Sequence, residues 1–256
     1  MNKTIFFSII LPTYNRAYCI EKAINSVINQ NFKSWELIII DDASIDNTYE
    51  IVKNYNNKNV KYFKLDVNSG VNIARNYAVQ KCIGKYVILL DSDNILKDNI
   101  LYKFKQIIDK EKFNYIKFAC ENQNKISTVE NIDFYGYIDY PNFLNDKMQG
   151  EYSTLVESKL LKEIGFFSDI NGGEGITWKL IAKKTRKVLY MNEVALIYDD
   201  SGDDRLSNKS KNYKRLVDVF EKDIKVLWKD YLKYSKIRLI KNILKSIIYK
   251  IMSKIN

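Results

Sequence analysis

Among its 256 residues the chain has no histidine, and only 2 prolines, 3 cysteines and 9 glycines. Without imidazole, a Ser-His-Asp triad, a Cys-His pair, a zinc-histidine centre and a histidine general base are all excluded. Acid–base and metal-ligand chemistry therefore falls mostly to Asp and Glu. Cys19, Cys82 and Cys120 share no metal-ligand spacing and are odd in number, so no disulfide framework is implied. Long apolar runs are missing too. Stretches such as residues 87–90 fall far short of the roughly 20 residues a bilayer-spanning helix needs. Residues 1–16 lack the basic start, apolar middle and small-residue cleavage site of a secretion signal.

What is present bounds the answer further. A hydrophobic content of 46% is too high for a disordered chain and, at this length, fits one large core of an α/β domain. The charge is unevenly placed. Residues 205–256 hold 15 Lys or Arg and 4 acids, a net of +11, which leaves 26 basic and 27 acidic residues in 1–204, a net of −1. The positive charge is thus a property of the tail, which argues against a nucleic-acid-binding body.

The near-continuous apolar run at 5–11 predicts a strand buried on both faces, 35–40 a second buried strand, and 60–65 and 85–90 a third and a fourth strand, while helical spacing at 18–28, 49–55, 70–81 and 98–109 predicts helices between them. This alternation predicts β-α-β units around a parallel sheet with helices on both faces and a ligand crevice at the carboxyl ends of the strands. Residues 120–152 are rich in Asn, Tyr and Asp with weak periodicity. Beyond them the pattern predicts a strand at 152–157, helices at 158–164 and 177–184, and two strands within 188–198 that break near Asn192.

The polar residues leaving these strands carry the chemistry. Asp91-Ser92-Asp93 follows the fourth apolar run, and if the strand persists, Asp91 and Asp93 share one side. Two carboxylates leaving a buried strand together repel unless a cation or strong hydrogen-bond donors neutralise them, and Mg²⁺ or Mn²⁺ on a diphosphate is the economical solution. The plainer alternative has Asp93 or Asn94 capping the next helix. Asp41-Asp42 repeats the arrangement one unit earlier, where a carboxylate accepts from a base N–H or a ribose hydroxyl, or else caps a helix start. The first turn, Pro12-Thr13-Tyr14-Asn15-Arg16, has neither the glycines of a dinucleotide fingerprint nor a phosphate-cradling loop. Glu174, between Gly173 and Gly175, is the natural general-base candidate with histidine excluded, or an exposed acid at a helix start.

Four ordered segments carry a resemblance: residues 8–16 (SIILPTYNR), 38–48 (IIIDDASIDNT), 68–76 (NSGVNIARN) and 84–93 (GKYVILLDSD). They resemble the motifs of the family 2 glycosyltransferases, which have the GT-A fold, over about residues 5–200. The resemblance implies an α/β GT-A fold with a mostly parallel central sheet at 1–204, followed by a basic helical extension at 205–256. It implies an inverting transfer of one sugar from a nucleotide diphosphate donor, most readily a UDP-sugar, to a saccharide or lipid-linked acceptor in surface polysaccharide synthesis. Pro12, Thr13 and Asp41 would hold the base, Asp42 would lie near the ribose, and Arg75 would order the nucleotide side. Asp91 and Ser92 would line the donor, while Asp93, with Asp91, would hold Mn²⁺ or Mg²⁺. Glu174 matches the acid of the family's Gly-Glu-Asp segment, whose following Asp is here Gly175; Asp169 is the reserve base. A late histidine of many relatives is absent, with Asp199 or Asp200 as its possible replacement. Tyr135, Tyr137 and Tyr140 are candidates for stacking on the acceptor sugar, or for packing beneath a loop.

In the tail, residues 232–256 carry seven Lys or Arg and no acid, with isoleucines and leucines at helical spacing from Ile240 to Ile255. This predicts a basic amphipathic helix that either lies on an anionic membrane surface or packs on protein. The expectation is a cytoplasmic protein, peripheral on the inner face of the cell membrane, with no nucleic-acid partner. The rival readings are a nucleotidyltransferase, which also uses paired acids and a metal, and a non-catalytic protein that keeps the fold.

Overall fold

The computed structural model describes residues 4–111, 113–130, 132–170, 172–198 and 212–255. The first half is built from β1 (Phe7–Thr13), α1 (Ile20–Ile28), β2 (Trp35–Asp41), α2 (Thr48–Val52), β3 (Val60–Lys64), α3 (Val71–Lys81) and β4 (Tyr86–Leu89). The second half contains β5 (Ile95–Leu96), α4 (Ile100–Lys110), β6 (Tyr115–Asn122), β7 (Gly136–Asp139), α5 (Tyr140–Leu144), β8 (Tyr152–Glu157), α6 (Ser158–Ile164), α7 (Glu174–Thr185) and β9 (Lys187–Tyr198). Two long helices, α8 (Tyr213–Tyr234) and α9 (Lys236–Ile255), close the described chain.

The strands form one mixed sheet in the order β3-β2-β1-β4-β8-β6-β9-β5, with β7 also paired to β9. Pairing is parallel from β3 to β4 and between β6 and β9, while β8, β5 and β7 run against their neighbours. Six of the nine strands therefore share one direction, as expected. Register sets Thr13 beside Asp41 and Ile10 beside Leu89, so the β1, β2 and β4 exits lie on one edge of the sheet.

Every residue of β1 and β2 is buried, which is why their sequences show no polar alternation. The pleat sends Phe7, Ile9 and Leu11 to one face, where α1 and α4 cover them with residues such as Ile24 and Phe104. Ile10, Ile38 and Ile40 go to the other face, under α3, α6, α7 and α8. At the amino ends of the strands, buried Glu36 takes hydrogen bonds from Ser8 Oγ (2.6 Å), Lys61 Nζ (2.7 Å) and the Ile83 N–H (2.7 Å). Burial alone would raise the Glu36 pKa, but these donors outweigh it and hold the carboxyl below its ordinary value. Gly84 is required here, because a Cβ would come within 2.6 Å of Ser8 Oγ and 2.7 Å of its backbone nitrogen.

Several local expectations are corrected. The strand before Asp91 does not persist: β4 ends at Leu89, and the Asn94 N–H donates to the Asp91 carbonyl (3.0 Å), closing a turn around Ser92 and Asp93. The next helix starts only at Ile100, so neither Asp93 nor Asn94 caps it. The expected break near Asn192 is a bulge inside one continuous β9, where the register against β6 shifts between Phe118 and Cys120. In the stretch with weak periodicity lie the end of β6, all of β7 and α5. The first tail helix is part of the body, since Leu227 and Tyr231 of α8 are fully buried in the second core cluster. Asp199, Asp200 and the expected boundary at 204/205 lie outside the described residues.

Candidate active site

At the carboxyl ends of β1 to β3, three loops are laced together by their own side chains. Asp41 is fully buried; its Oδ1 accepts from the Ser44 N–H (2.7 Å) and its Oδ2 from the Tyr62 hydroxyl. Asp42 places one carboxylate oxygen on the Ser69 N–H (2.7 Å) and the other on the Gly70 N–H (2.8 Å), which draws the loop before α3 against the end of β2. Asn15 exchanges bonds with Ser44 and Ile45, and Asp46 accepts from the Ala17 N–H (2.9 Å). Each bond fixes a loop that would otherwise fluctuate, so a shelf forms before any ligand arrives. Within it, the Thr13 hydroxyl is buried and has no hydrogen-bond partner among the described residues. An unsatisfied buried hydroxyl is costly, and a nucleotide is the kind of ligand that would satisfy it.

Beside this shelf opens a cleft of about 870 Å³, walled by β4, β6, β8, α7 and α9. Arg75, on α3, is nearly buried and lines it. Its Nη2 donates to Asp91 Oδ1 (3.0 Å), and its Nη1 lies 3.8 Å from Glu174 Oε1. One guanidinium thus joins the acid after β4 to the acid that opens α7. Both carboxylates remain half-exposed, at 49% for Asp91 and 44% for Glu174. The Arg75 face rests on the Phe166 ring (5.7 Å), and its Nε is buried without a hydrogen-bond partner among the described residues.

Glu174 faces the cleft because of the glycines before it. Gly172 and Gly173 adopt φ of +83° and +75°, a backbone that L side chains rarely take, and the chain turns there into α7. A Cβ added at Gly175 would meet nothing within 4 Å, so the missing acid of the family's motif leaves open space.

Lys117 was not singled out from the sequence. It lies on β6 in the cleft wall, with its ammonium 5.2 Å from the Trp178 ring centre and 5.9 Å from that of Tyr115. Burial pushes its pKa down to about 8, against partial compensation from Cys120 and Glu174. No ion pair to a carboxylate holds it among the described residues. A lysine centred in a strand reads as a surface residue, and no sequence signal marks it as lining a cavity.

Of the sequence candidates, Arg75, Asp91 and Glu174 meet in the cleft. Ser92 is buried in the turn and Asp93 follows it, half-buried. Pro12 is buried in β1, opposite Ile40, rather than in a turn. Asp169 is away from the cleft: it is exposed and paired with Lys222 Nζ (2.5 Å), which holds its carboxyl below the ordinary range and makes it a poor base. The three tyrosines do not line the cleft either. Tyr140 is buried in the core against Tyr234, Tyr137 donates to Glu111 (3.1 Å) from an edge strand, and Tyr135 is exposed. Phe143, Tyr152, Trp178, Tyr190 and Tyr198 are the aromatics that line it.

Among the described residues no group of three or more Cys, Asp or Glu side chains is assembled to hold a metal ion. The Asp91–Asp93 turn supplies two carboxylates, of which Asp91 is paired with Arg75 and Asp93 is half-buried.

A model of the family described as Glycosyl transferase family 2 matches residues 8–156. The chain belongs to this family. Its fold is accordingly the mixed α/β, GT-A-like one, and the four motif segments quoted above lie inside the match. As a family 2 glycosyltransferase it transfers a sugar from a nucleotide-sugar donor to an acceptor. It is 29% identical over 243 residues to a GalNAc(5)-diNAcBac-PP-undecaprenol beta-1,3-glucosyltransferase of Campylobacter jejuni, covering 88% of this chain and 78% of that one. It is 28% identical over 212 residues to the putative teichuronic acid biosynthesis glycosyltransferase TuaG of Bacillus subtilis, covering 81% and 84%. Its fold superposes on the S. aureus TarS 1–349 structure with UDP-GlcNAc at a TM-score of 0.75 and 21% identity, over 87% of this chain and 66% of that one. No helix among the described residues of this glycosyltransferase is long and apolar enough to cross a membrane.

Proposed function

We propose that the protein is an inverting, metal-dependent hexosyltransferase that moves a sugar from a UDP-sugar to a hydroxyl of a saccharide or lipid-linked acceptor in surface polysaccharide synthesis, at the inner face of the cell membrane. The observation that carries this reading is the Arg75 bridge, which sets Asp91 and Glu174 at the two sides of one cleft. The acids that would serve donor and acceptor are thereby held a guanidinium's width apart, with room for a sugar beside them.

In this reading the base and ribose rest on the shelf of Thr13, Asp41 and Asp42. Asp91 and Ser92 position the donor next to them, and Arg75 offers its positive charge to the diphosphate. Glu174 takes the proton from the acceptor hydroxyl as it attacks the anomeric carbon in line. Lys117 supplies positive charge from the cleft wall that Glu174 also lines. A Mn²⁺ or Mg²⁺ ion on Asp93 and Asp91 would neutralise the departing diphosphate. The relatives support the acceptor class: two of them, from Campylobacter jejuni and Escherichia coli, are named for transfer to sugars on diphosphoundecaprenol.

A screen of UDP-, GDP- and dTDP-sugars with Mn²⁺ or Mg²⁺ tests this. Nucleotide binding with sugar release, strongest for a UDP-sugar, is the expected result. Failure to bind any nucleotide diphosphate would support a non-catalytic protein instead, and incorporation of a nucleotide would support the nucleotidyltransferase.

A further inference from the structure

α9 is an amphipathic helix turned inside out. The side chains it buries are polar: Asn242 donates to Asp223 Oδ2 (2.9 Å), and Ser246 is buried one turn later. Asp223 in turn accepts from Lys179 Nζ (2.8 Å) and from the Tyr231 hydroxyl (2.6 Å), so a polar knot ties α7, α8 and α9 together. Leu239 packs against the second core cluster and Tyr249 against Tyr213 and Phe220, but most of the other apolar residues face outward. Ile237, Ile240, Leu244, Ile247, Ile251 and Ile255 are all exposed, at 51% to 77%. Their i, i+3, i+4, i+7 spacing makes one continuous stripe. In a globular domain such a stripe packs inward, so its exposure needs an apolar phase outside the protein.

A second property of the same helix points to what lies in that phase. Arg238, Lys241 and Lys245 follow one another at i, i+3 and i+7, on an arc between the buried polar side and the exposed stripe, and all three line the cleft that holds Arg75 and Glu174. Arg238 pairs with Asp146, while Lys241 and Lys245 meet no carboxylate among the described residues. Arg238 and Lys241 also wall a second pocket of about 430 Å³ at the α8–α9 elbow, where Ile237 begins the stripe. Glu174 and these three cations thus line one cleft, and the exposed apolar stripe lies on the same helix as the cations. α9 carries six Lys or Arg and no acid, so its charge favours an anionic surface.

The geometry points to Arg238, Lys241 and Lys245 as the subsite for the phosphate or diphosphate of a lipid-linked acceptor, held while its lipid stays in the bilayer on which the α9 stripe lies. One amphiphile meets all three features: sugar hydroxyl at Glu174, anionic link on the cations, hydrocarbon along the stripe. The inference rests on the transferase reading and specifies its acceptor.

The test uses the full chain and sedimentation with neutral phosphatidylcholine vesicles carrying either a polyprenyl diphosphate or the matching polyprenol. Vesicles with phosphatidylglycerol control for bulk charge, and inorganic diphosphate is the soluble competitor. The double variant Lys241→Glu with Lys245→Glu is compared with Lys250→Glu with Lys254→Glu, an equal charge change on the same helix outside the cleft. The wild type is expected to bind diphosphate vesicles about tenfold more tightly than polyprenol vesicles, and the cleft-side variant to lose that preference while the other keeps it. Melting temperature and UDP binding of the cleft-side variant show that it is folded with its donor side intact. Equal binding of the two vesicle types overturns the subsite, and so does equal loss in both variants, which would mean unspecific attraction of a basic helix. Displacement by inorganic diphosphate at concentrations no higher than the lipid's would overturn the lipid as its source. A wild type that binds no UDP is a separate result and counts against the transferase reading.

Discussion

The two halves of the sheet use their polar side chains in opposite ways. At the carboxyl ends of β1 to β3, Asp42, Asn15 and Asp46 are committed to backbone N–H groups of neighbouring loops, and Asp41 to the Ser44 N–H of its own loop and the Tyr62 hydroxyl. Around the cleft of the second half, Arg75, Glu174, Lys117 and Lys241 keep donors or acceptors in hand. The first region is a finished shelf that needs little rearrangement to receive a ligand. The second holds charged groups that are only partly paired, which a bound substrate would engage. A transferase needs both, because the donor is best met by preorganisation and the reacting atoms by charge that strengthens on approach of the transition state.

The largest effect should come from removing such a charge at the chemistry. Glu174→Gln is expected to lower turnover by about 10³-fold with little change in donor affinity, read as a split between kcat and donor Kd. Asp93→Ala should abolish metal-dependent transfer in a protein that still melts cooperatively. A Glu174→Gln enzyme that loses donor affinity but keeps its turnover would dissolve the contrast between shelf and cleft.

Next in size is the polar knot beneath α9. Asp223→Ala strands Lys179, Tyr231 and Asn242 without their acceptor, and should cost about 3–5 kcal/mol in urea unfolding. A loss below about 1 kcal/mol would show that α9 is not anchored this way. On the shelf, Asp42→Ala leaves the Ser69 and Gly70 N–H groups unpaired and should cost about 1–3 kcal/mol while weakening UDP binding. If UDP affinity is untouched, the shelf is structural only.

Lys117 sharpens the comparison through pH. Its ordinary pKa of 10.5 is lowered to about 8 on folding, so the cost of burying its charge is full below pH 8 and fades as the pH rises from 8 towards 10.5. Lys117→Met should therefore raise the melting temperature at pH 7 by a few degrees, roughly 1–2 kcal/mol, with the gain shrinking above pH 8, and it should slow transfer. A gain independent of pH would mean that packing, not charge, is responsible.

The same contrast explains what could be read before any coordinates. The β1 to β4 half was legible because β1 and β2 are wholly buried and β2 and β4 lead into acids, so the pattern is local, although the edge strand β3 is only half-buried. Even there, the role of Asp42 was hidden, since nothing in its spacing says that its partners lie at Ser69 and Gly70. In the second half, β6 pairs with β8 and with a bulged β9, and β7 and α5 are only 4 and 5 residues long; such elements are set by tertiary contacts rather than by periodicity. Tyr137 and Tyr140 looked like acceptor platforms because aromatic residues near a loop carry no label for burial. Arg75 and Glu174 are 99 positions apart in sequence, and only the motif resemblance hinted that both serve one pocket. The helical stripe of α9 was visible, but its outward direction was not, because Asn242 and Ser246 give no sign in sequence of being the buried side.

The most direct measurement is a crystal structure with UDP and Mn²⁺ bound. The prediction is that the base and ribose rest on the loops after β1 and β2, the diphosphate lies at the Asp91–Asp93 turn within reach of Arg75, and Glu174 faces the space where the sugar would sit. UDP bound away from the carboxyl ends of β1, β2 and β4, or a Glu174 carboxylate turned away from that space, would contradict the account.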